Sequence, residues 1–189
     1  KPAREFILEA FRNKKHVVTA NKALLAVHGE ELYAAAEKAG VTLGYEASVA
    51  GGIPILAAVR SGLAANNIES IYGIVNGTCN YILTEMRETG RDFADVLREA
   101  QAMGYAEADP SFDVDGIDAA HKLAVLAALA FNTRVDFRSV HVEGIRRVSA
   151  ADIAFASEFG YRIKLLAIAR RTVRGIEQLS DALVAFRIG

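Results

Sequence analysis

Apolar positions along this chain recur either every three to four residues or in short unbroken runs, the signs of helices and strands respectively. Residues 2–14 set Phe6, Ile7, Ala10 and Phe11 on one face, and Pro2 suits a first helical turn. His-Val-Val-Thr-Ala (16–20) predicts a short buried strand. Residues 22–39 predict a helix with a break near Gly29, ended by Gly40. Residues 41–47 predict the next strand. Helix, strand, helix and strand at this spacing imply parallel strands joined by crossovers.

The character changes after residue 47. Val-Ala-Gly-Gly-Ile-Pro (49–54) reads as a glycine-rich turn with Pro54 opening a helix. Strands are predicted at 68–75, 139–145 and 161–169, and helices at 78–89, 93–103 and 150–159, with Gly90, Gly104 and Gly160 as their stops. Residues 117–131 predict a helix apolar all round after Lys122, and such a helix is a buried one. The fold class is therefore α/β: a partial doubly wound, Rossmann-like domain, then a mixed sheet covered by helices. Residues 170–178 run into the last segment without a periodic link, and the chain opens inside a crossover helix. We expect a chain cut at both ends, or one with residues omitted near 178.

Composition narrows the class. Of 189 residues, 52 % are hydrophobic and 24 % charged, a soluble globular profile. A net charge of −1 offers no basic footprint for nucleic acid and no polybasic membrane patch. No window approaches ~18 consecutive apolar residues, so no membrane span is expected. The opening Lys-Pro-Ala-Arg-Glu-Phe does not read as a signal peptide. Cys79 stands alone, which excludes a disulfide framework and fits a cytoplasmic location.

Candidate chemistry concentrates in residues 104–122, where five acids precede Lys122. Asp118 and Lys122 are four apart and share a helix face; the plain alternative is a surface ion pair. A lysine on a buried helix is rarely idle, and burial set against nearby carboxylates can make it a general acid–base group. Asp115 is expected to cap the following helix. Asp113, Asp115 and Gly116 match the middle of a calcium loop, but Lys122 at its last position rejects that reading. Lys22 lies beyond a predicted parallel strand, where open α/β sheets bind ligands; a solvated first-turn lysine is the alternative. Glu46 precedes a Gly-Gly turn whose carbonyls could converge on a hard cation, or which is only a tight turn. Backbone N–H groups at Asn76-Gly77-Thr78 could hold a substrate carboxylate. Cys79 and His121 are expected to be packing residues, and His16, His28 and His141 have no ligand spacing.

Four stretches together, Val-Val-Thr-Ala-Asn-Lys (17–22), Glu-Ala-Ser-Val-Ala-Gly-Gly-Ile-Pro-Ile (46–55), Gly-Ile-Val-Asn-Gly-Thr-Cys-Asn-Tyr-Ile-Leu (73–83) and the run at 104–123, closely resemble homoserine dehydrogenase, in family order over roughly residues 15–170. The resemblance implies NAD(P)-dependent interconversion of L-homoserine and L-aspartate 4-semialdehyde, on the route to threonine, methionine and isoleucine. It implies Lys122 as the proton donor and acceptor, with Asp118 orienting it and holding substrate. It places Glu107 at the substrate ammonium, and Asp113, Asp118, Tyr105, Gly77 and Thr78 around the same pocket. Lys22 would stand between nicotinamide and substrate, and Gly104 would touch the cofactor. Glu46, Val49, Gly51 and Ile53 would form a monovalent cation site for Na+ or K+, mostly through carbonyls. A homodimer or homotetramer is implied, with the second domain's sheet at the interface.

No Gly-x-Gly-x-x-Gly occurs, so the pyrophosphate turn is not in this sequence. Residues 1–45 are therefore expected to be the C-terminal part of a nucleotide-binding domain, and 46–189 the substrate-binding and dimerisation domain. Alone, the chain should bind NAD(P) poorly. An inert dimerisation fragment and a related NAD(P)-dependent oxidoreductase stay open beside the main reading.

Overall fold

The computed structural model describes residues 2–173 and 175–187, and the side chains up to Gln178. The chain divides into two compact units, residues 1–69 with 121–139 and residues 70–120 with 140–189.

In the first unit, α1 (Pro2–Arg12) buries Ile7 and Phe11 and packs against α2 (Lys22–Ala39). Helix α2 is continuous, against the expected break. Gly29 is buried inside it, and a Cβ there would meet Tyr33 at 3.3 Å and Val135 at 3.4 Å. The glycine marks a close approach of chains, not a bend. Asn21 caps the start by accepting from Leu24 N, and Gly40 ends the helix at φ 66°. Strands β1 (Val17–Val18) and β2 (Leu43–Gly44) pair in parallel, as the crossover pattern requires. They are shorter than the apolar runs suggest, and Val18 is 87 % exposed rather than buried. With two residues in each strand, the pair buries Leu43 but leaves Val18 on its outer side.

A 3-10 turn (Glu46–Ser48) leads through Ala50 and Gly51, both at positive φ, to α3 (Ile55–Ala57), opened by Pro54. The later part of the unit carries most of α7 (Ile117–Phe131), where Ala119 to His121 and Leu123 to Ala128 are all buried.

In the second unit a mixed sheet runs β3 (Ser70–Gly73), β5 (Tyr161–Thr172), β6 (Gly175–Arg187), β4 (His141–Val142). Only the β6–β4 pair is parallel. Residues around 178, which show no periodicity, lie within β6, where Gln178 pairs with Ala169. Helices α4 (Gly77–Thr89), α5 (Phe93–Ala102) and α8 (Ala150–Glu158) supply the apolar layer with the sheet. Its centre is Ile82, Met86, Val96, Ile145, Ile153 and Leu165.

Pairing of β3 with β5 stops at Gly73↔Ala167, and β6 carries an extra residue opposite Leu165. The amide of Asn80 on α4 takes over at that point. It donates to Leu165 O at 3.0 Å and accepts from Leu165 N at 3.1 Å. A buried side chain thus stands in for a strand.

Candidate functional site

The polar centre of the second unit is built where β3 gives way to α4. Asn76 has extended backbone (φ −126°, ψ 114°), and its Oδ1 accepts from Cys79 N at 2.9 Å, capping α4. The other end of the same amide donates twice, to Asp113 Oδ1 at 2.7 Å and to Asp118 Oδ2 at 2.9 Å. Asn76 is 3 % exposed and Asp118 4 %. Two carboxylates from α6 (Ser111–Val114) and α7 are thereby gathered at the N-terminal end of a third helix.

The loop before α6 carries three further candidates. Gly104, at φ 77°, turns the chain after α5, and Tyr105 and Ala106 both donate to Ala100 O. Gln101 fixes the next stretch, its amide donating to the carbonyls of Glu107 and Ala108 at 2.9 and 3.2 Å. The Thr78 hydroxyl donates to Tyr105 O at 2.9 Å, and the Tyr105 ring lies 4.9 Å from that of Tyr81. Tyr105 and Glu107 are exposed. Gly77, Thr78, Tyr105, Asp113 and Asp118 are thus joined by bonds or chain neighbours, with Glu107 on the same loop.

Behind the acids, residues 142–146 clamp the turn between α6 and α7. Gly116 takes φ 81°, and a Cβ there would stand 2.9 Å from Glu143 O. A Cβ on Gly144 would stand 2.2 Å from Val114 O and 2.4 Å from Asp115 Cα. Ile145 N donates to Val114 O at 2.8 Å. Asp115 closes α6 as its C-cap residue, and its carboxylate binds Arg146, through Nε and through Nη2 at 3.2 Å. Arg146 Nη2 also donates to Ser111 Oγ at 2.8 Å.

Cys79 is fully buried, and its thiol donates to Asp113 O at 3.2 Å. Burial, with the negative charges of Asp113, Asp118 and Asp115 after it, pushes this thiol up to about 12. It is a packing residue beside the acids, as its sequence context suggests.

The remaining candidates belong to the first unit. Lys22, half-buried, opens α2 just beyond β1. Lys122, also half-buried, follows Asp118 by one turn of α7. His121 packs its ring 4.3 Å from Phe137. At the glycine turn, Glu46 Oε1 accepts from Leu56 N at 2.9 Å, and Ile53 O accepts from Ile55 N at 2.8 Å. Sequence reasoning missed the side chain of Asn76, whose only signal is an amide residue between a strand and a helix. It also missed Arg146 and Gly144, which announce themselves by no local pattern.

Comparison with known proteins gives a consistent picture. Residues 54–188 match the family model described as homoserine dehydrogenase, and residues 1–46 match that of the homoserine dehydrogenase NAD binding domain. The homoserine dehydrogenase of Pseudomonas aeruginosa is 58 % identical over 175 residues, covering 93 % of this chain and 40 % of the relative. That of Bacillus subtilis is 49 % identical over 174 residues, covering 92 % and 40 %. A solved homoserine dehydrogenase from Thiobacillus denitrificans superposes with a TM-score of 0.94 at 56 % identity, over 95 % of this chain and 42 % of that one. The chain spans about 40 % of the length of the curated relatives it matches.

Proposed function

The chain belongs to the homoserine dehydrogenase family, and on that premise we propose that the protein carrying it interconverts L-homoserine and L-aspartate 4-semialdehyde with NAD or NADP. Residues 1–45 close the nucleotide-binding domain, and 46–189 form the substrate-binding and dimerisation domain. The observation that carries the reading is the gathering of two carboxylates at a helix N-terminus in the second unit. Asp113 and Asp118 gather at the N-terminal end of α4, both held by Asn76. Carboxylates suit the ammonium of an amino acid, and helix N–H groups suit its carboxylate.

The residues present fit a dinucleotide. Strands β1 and β2 are parallel, and Lys22 stands just past the carboxyl end of β1, where open α/β sheets bind ligands. A bound dinucleotide would supply the hydride chemistry at the substrate carbon. Lys122 takes the hydroxyl proton as the alcohol is oxidised and returns it as the aldehyde is reduced. Asp118, one helical turn before Lys122, orients that amine and holds substrate. Glu107 takes the substrate ammonium, and Asp113, Tyr105, Gly77 and Thr78 line the same pocket. Lys22 would stand between nicotinamide and substrate, and Gly104 would contact the cofactor.

Replacing Lys122 by Ala in the full-length protein should lower turnover by roughly 100-fold or more, with far-UV circular dichroism unchanged. Turnover near that of the wild type would remove the role.

Glu46, Val49, Gly51 and Ile53 also fit a monovalent cation, Na+ or K+. Their donors are hard oxygens, and the Glu46 carboxylate gives only Oε1 to the Leu56 N–H. Turnover should rise when Na+ or K+ replaces tetramethylammonium; a flat titration would refute the site. The protein is a small-molecule enzyme that assembles as a homodimer or homotetramer, and a monomer in light scattering at high concentration would refute the assembly. No described helix is long and apolar enough to cross a membrane, and we place the protein in the cytoplasm, which cell fractionation tests.

A further inference from the structure

We propose that Asn76 is a positioning residue, whose side-chain amide sets the Asp113 and Asp118 carboxylates in the places from which they take the substrate. The inference rests on the dehydrogenase reading above and gives a role in that site to a residue to which the reading assigns none.

The Asn76 amide can both donate and accept. Its NH2 group carries two hydrogens in one plane, about 120° apart, and its oxygen accepts. Here both hydrogens are spent on acids, at 2.7 Å to Asp113 Oδ1 and 2.9 Å to Asp118 Oδ2, while Oδ1 accepts from Cys79 N at 2.9 Å. The amide cannot be turned over. A flip would set its oxygen against two carboxylates and its NH2 against the Cys79 N–H, losing all three bonds. Residue 76 is 3 % exposed, so no water replaces a lost partner cheaply.

The three demands also select the residue. A helix cap alone asks for an acceptor, and Ser, Thr or Asp supplies one as well as Asn. The two donors add nothing to the cap. They do add a fixed spacing between two like charges that would otherwise turn apart, and they compensate both charges away from bulk water. Asp118 is buried and comes from α7, whereas Asp113 comes from α6. Asn76 thus ties two elements to a third through the acids themselves.

Two substitutions separate the cap from the tie, both in the full-length protein. Asn76→Ser keeps a capping oxygen and removes both amide N–H donors, leaving one hydroxyl hydrogen on a shorter side chain. Asn76→Asp keeps the shape and the cap but turns a third carboxylate toward the other two. Asn76→Ser should stay folded at the assay temperature while melting several degrees below the wild type, and Asn76→Asp lower still. Both should raise KM for L-homoserine about tenfold or more, Asn76→Asp the more, while KM for the dinucleotide stays within twofold. If Asn76→Asp does not fold because of the added charge, Asn76→Ser decides alone. Wild-type values of KM for homoserine in Asn76→Ser would overturn the proposal. So would unfolding of both variants, which would make the residue a fold determinant only. A wild-type protein that does not oxidise homoserine would instead overturn the dehydrogenase reading, and this assignment with it.

Discussion

At the scale of the residue, the acids of this site owe their places to groups that carry no charge. Asn76 faces Asp113 and Asp118, and Gly144 lets a neighbouring segment lie against the turn between them. A methyl group on Gly144 would fall 2.2 Å from Val114 O and 2.4 Å from Asp115 Cα. Both are backbone atoms tied by the Ile145–Val114 bond and cannot swing aside. Gly144→Ala should therefore cost about 1–3 kcal/mol, as overpacking of a tight site does. Urea denaturation monitored by circular dichroism checks this, and a midpoint equal to that of the wild type would show that the turn can move. None of these supporting residues is legible as such in the sequence. Glu107, Asp113, Asp118 and Lys122 announce themselves by charge beside an apolar helix, but a glycine in Glu-Gly-Ile announces nothing. Its constraint lies in a segment about 30 residues away.

At the scale of the element, the periodic helices were legible to within a few residues, and the short strands were not. Helix α4 and its stop at Gly90, and α7 with its all-round burial, follow from spacing and composition alone. Strand ends do not, because a strand ends where its partner ends. The run at 139–145 yields only His141–Val142, since β6 offers β4 two pairs. The 16–20 run yields only Val17–Val18 for the same reason. Asn80 shows the limit most clearly: no local pattern says that a helical amide will finish the ladder at Leu165. Asn80→Ala would leave a buried N–H and a buried C=O of Leu165 without those partners. The loss should be roughly 2–4 kcal/mol, the sum of two orphaned groups. Thermal melting tests it, and a change below about 1 °C would mean that water or another strand residue fills the gap.

At the scale of the whole molecule, stability against pH follows from which groups folding perturbs. On the acid side, hydrogen bonds from Ser111, Ser139 and Ser149 hold Asp109, Asp136 and Asp152 below their ordinary values, and Arg12 and Arg4 do so for Glu9 and Glu31. A lowered carboxyl contributes stability above its unfolded value, near 4, and loses it as pH falls further. On the alkaline side, burial raises Cys79 from about 9 to about 12 and raises Tyr33 in the same direction. The unfolded thiol then ionises first, so its contribution is intact below about pH 9 and is lost on the way to 12. The melting temperature should be level at neutral pH and fall at both ends. Cys79→Ala should blunt the alkaline fall, and an unaltered alkaline limb would remove the thiol from this account.

Asn76 and Gly77 are also adjacent in the chain, and Asn-Gly is the dipeptide that most readily closes a succinimide and releases ammonia as a protein ages. Closure requires the Gly77 nitrogen to attack Cγ of Asn76. Both ends of that amide are engaged, and the residue is 3 % exposed. Ring closure must therefore wait until the first turn of α4 opens. Hydrolysis of the ring leaves an aspartate or an isoaspartate, neither of which offers Asp113 and Asp118 the two amide N–H donors. The chemical lifetime of this protein is thus set by how rarely one helical turn comes undone, and the deamidated fraction of an old preparation is a clock for that opening.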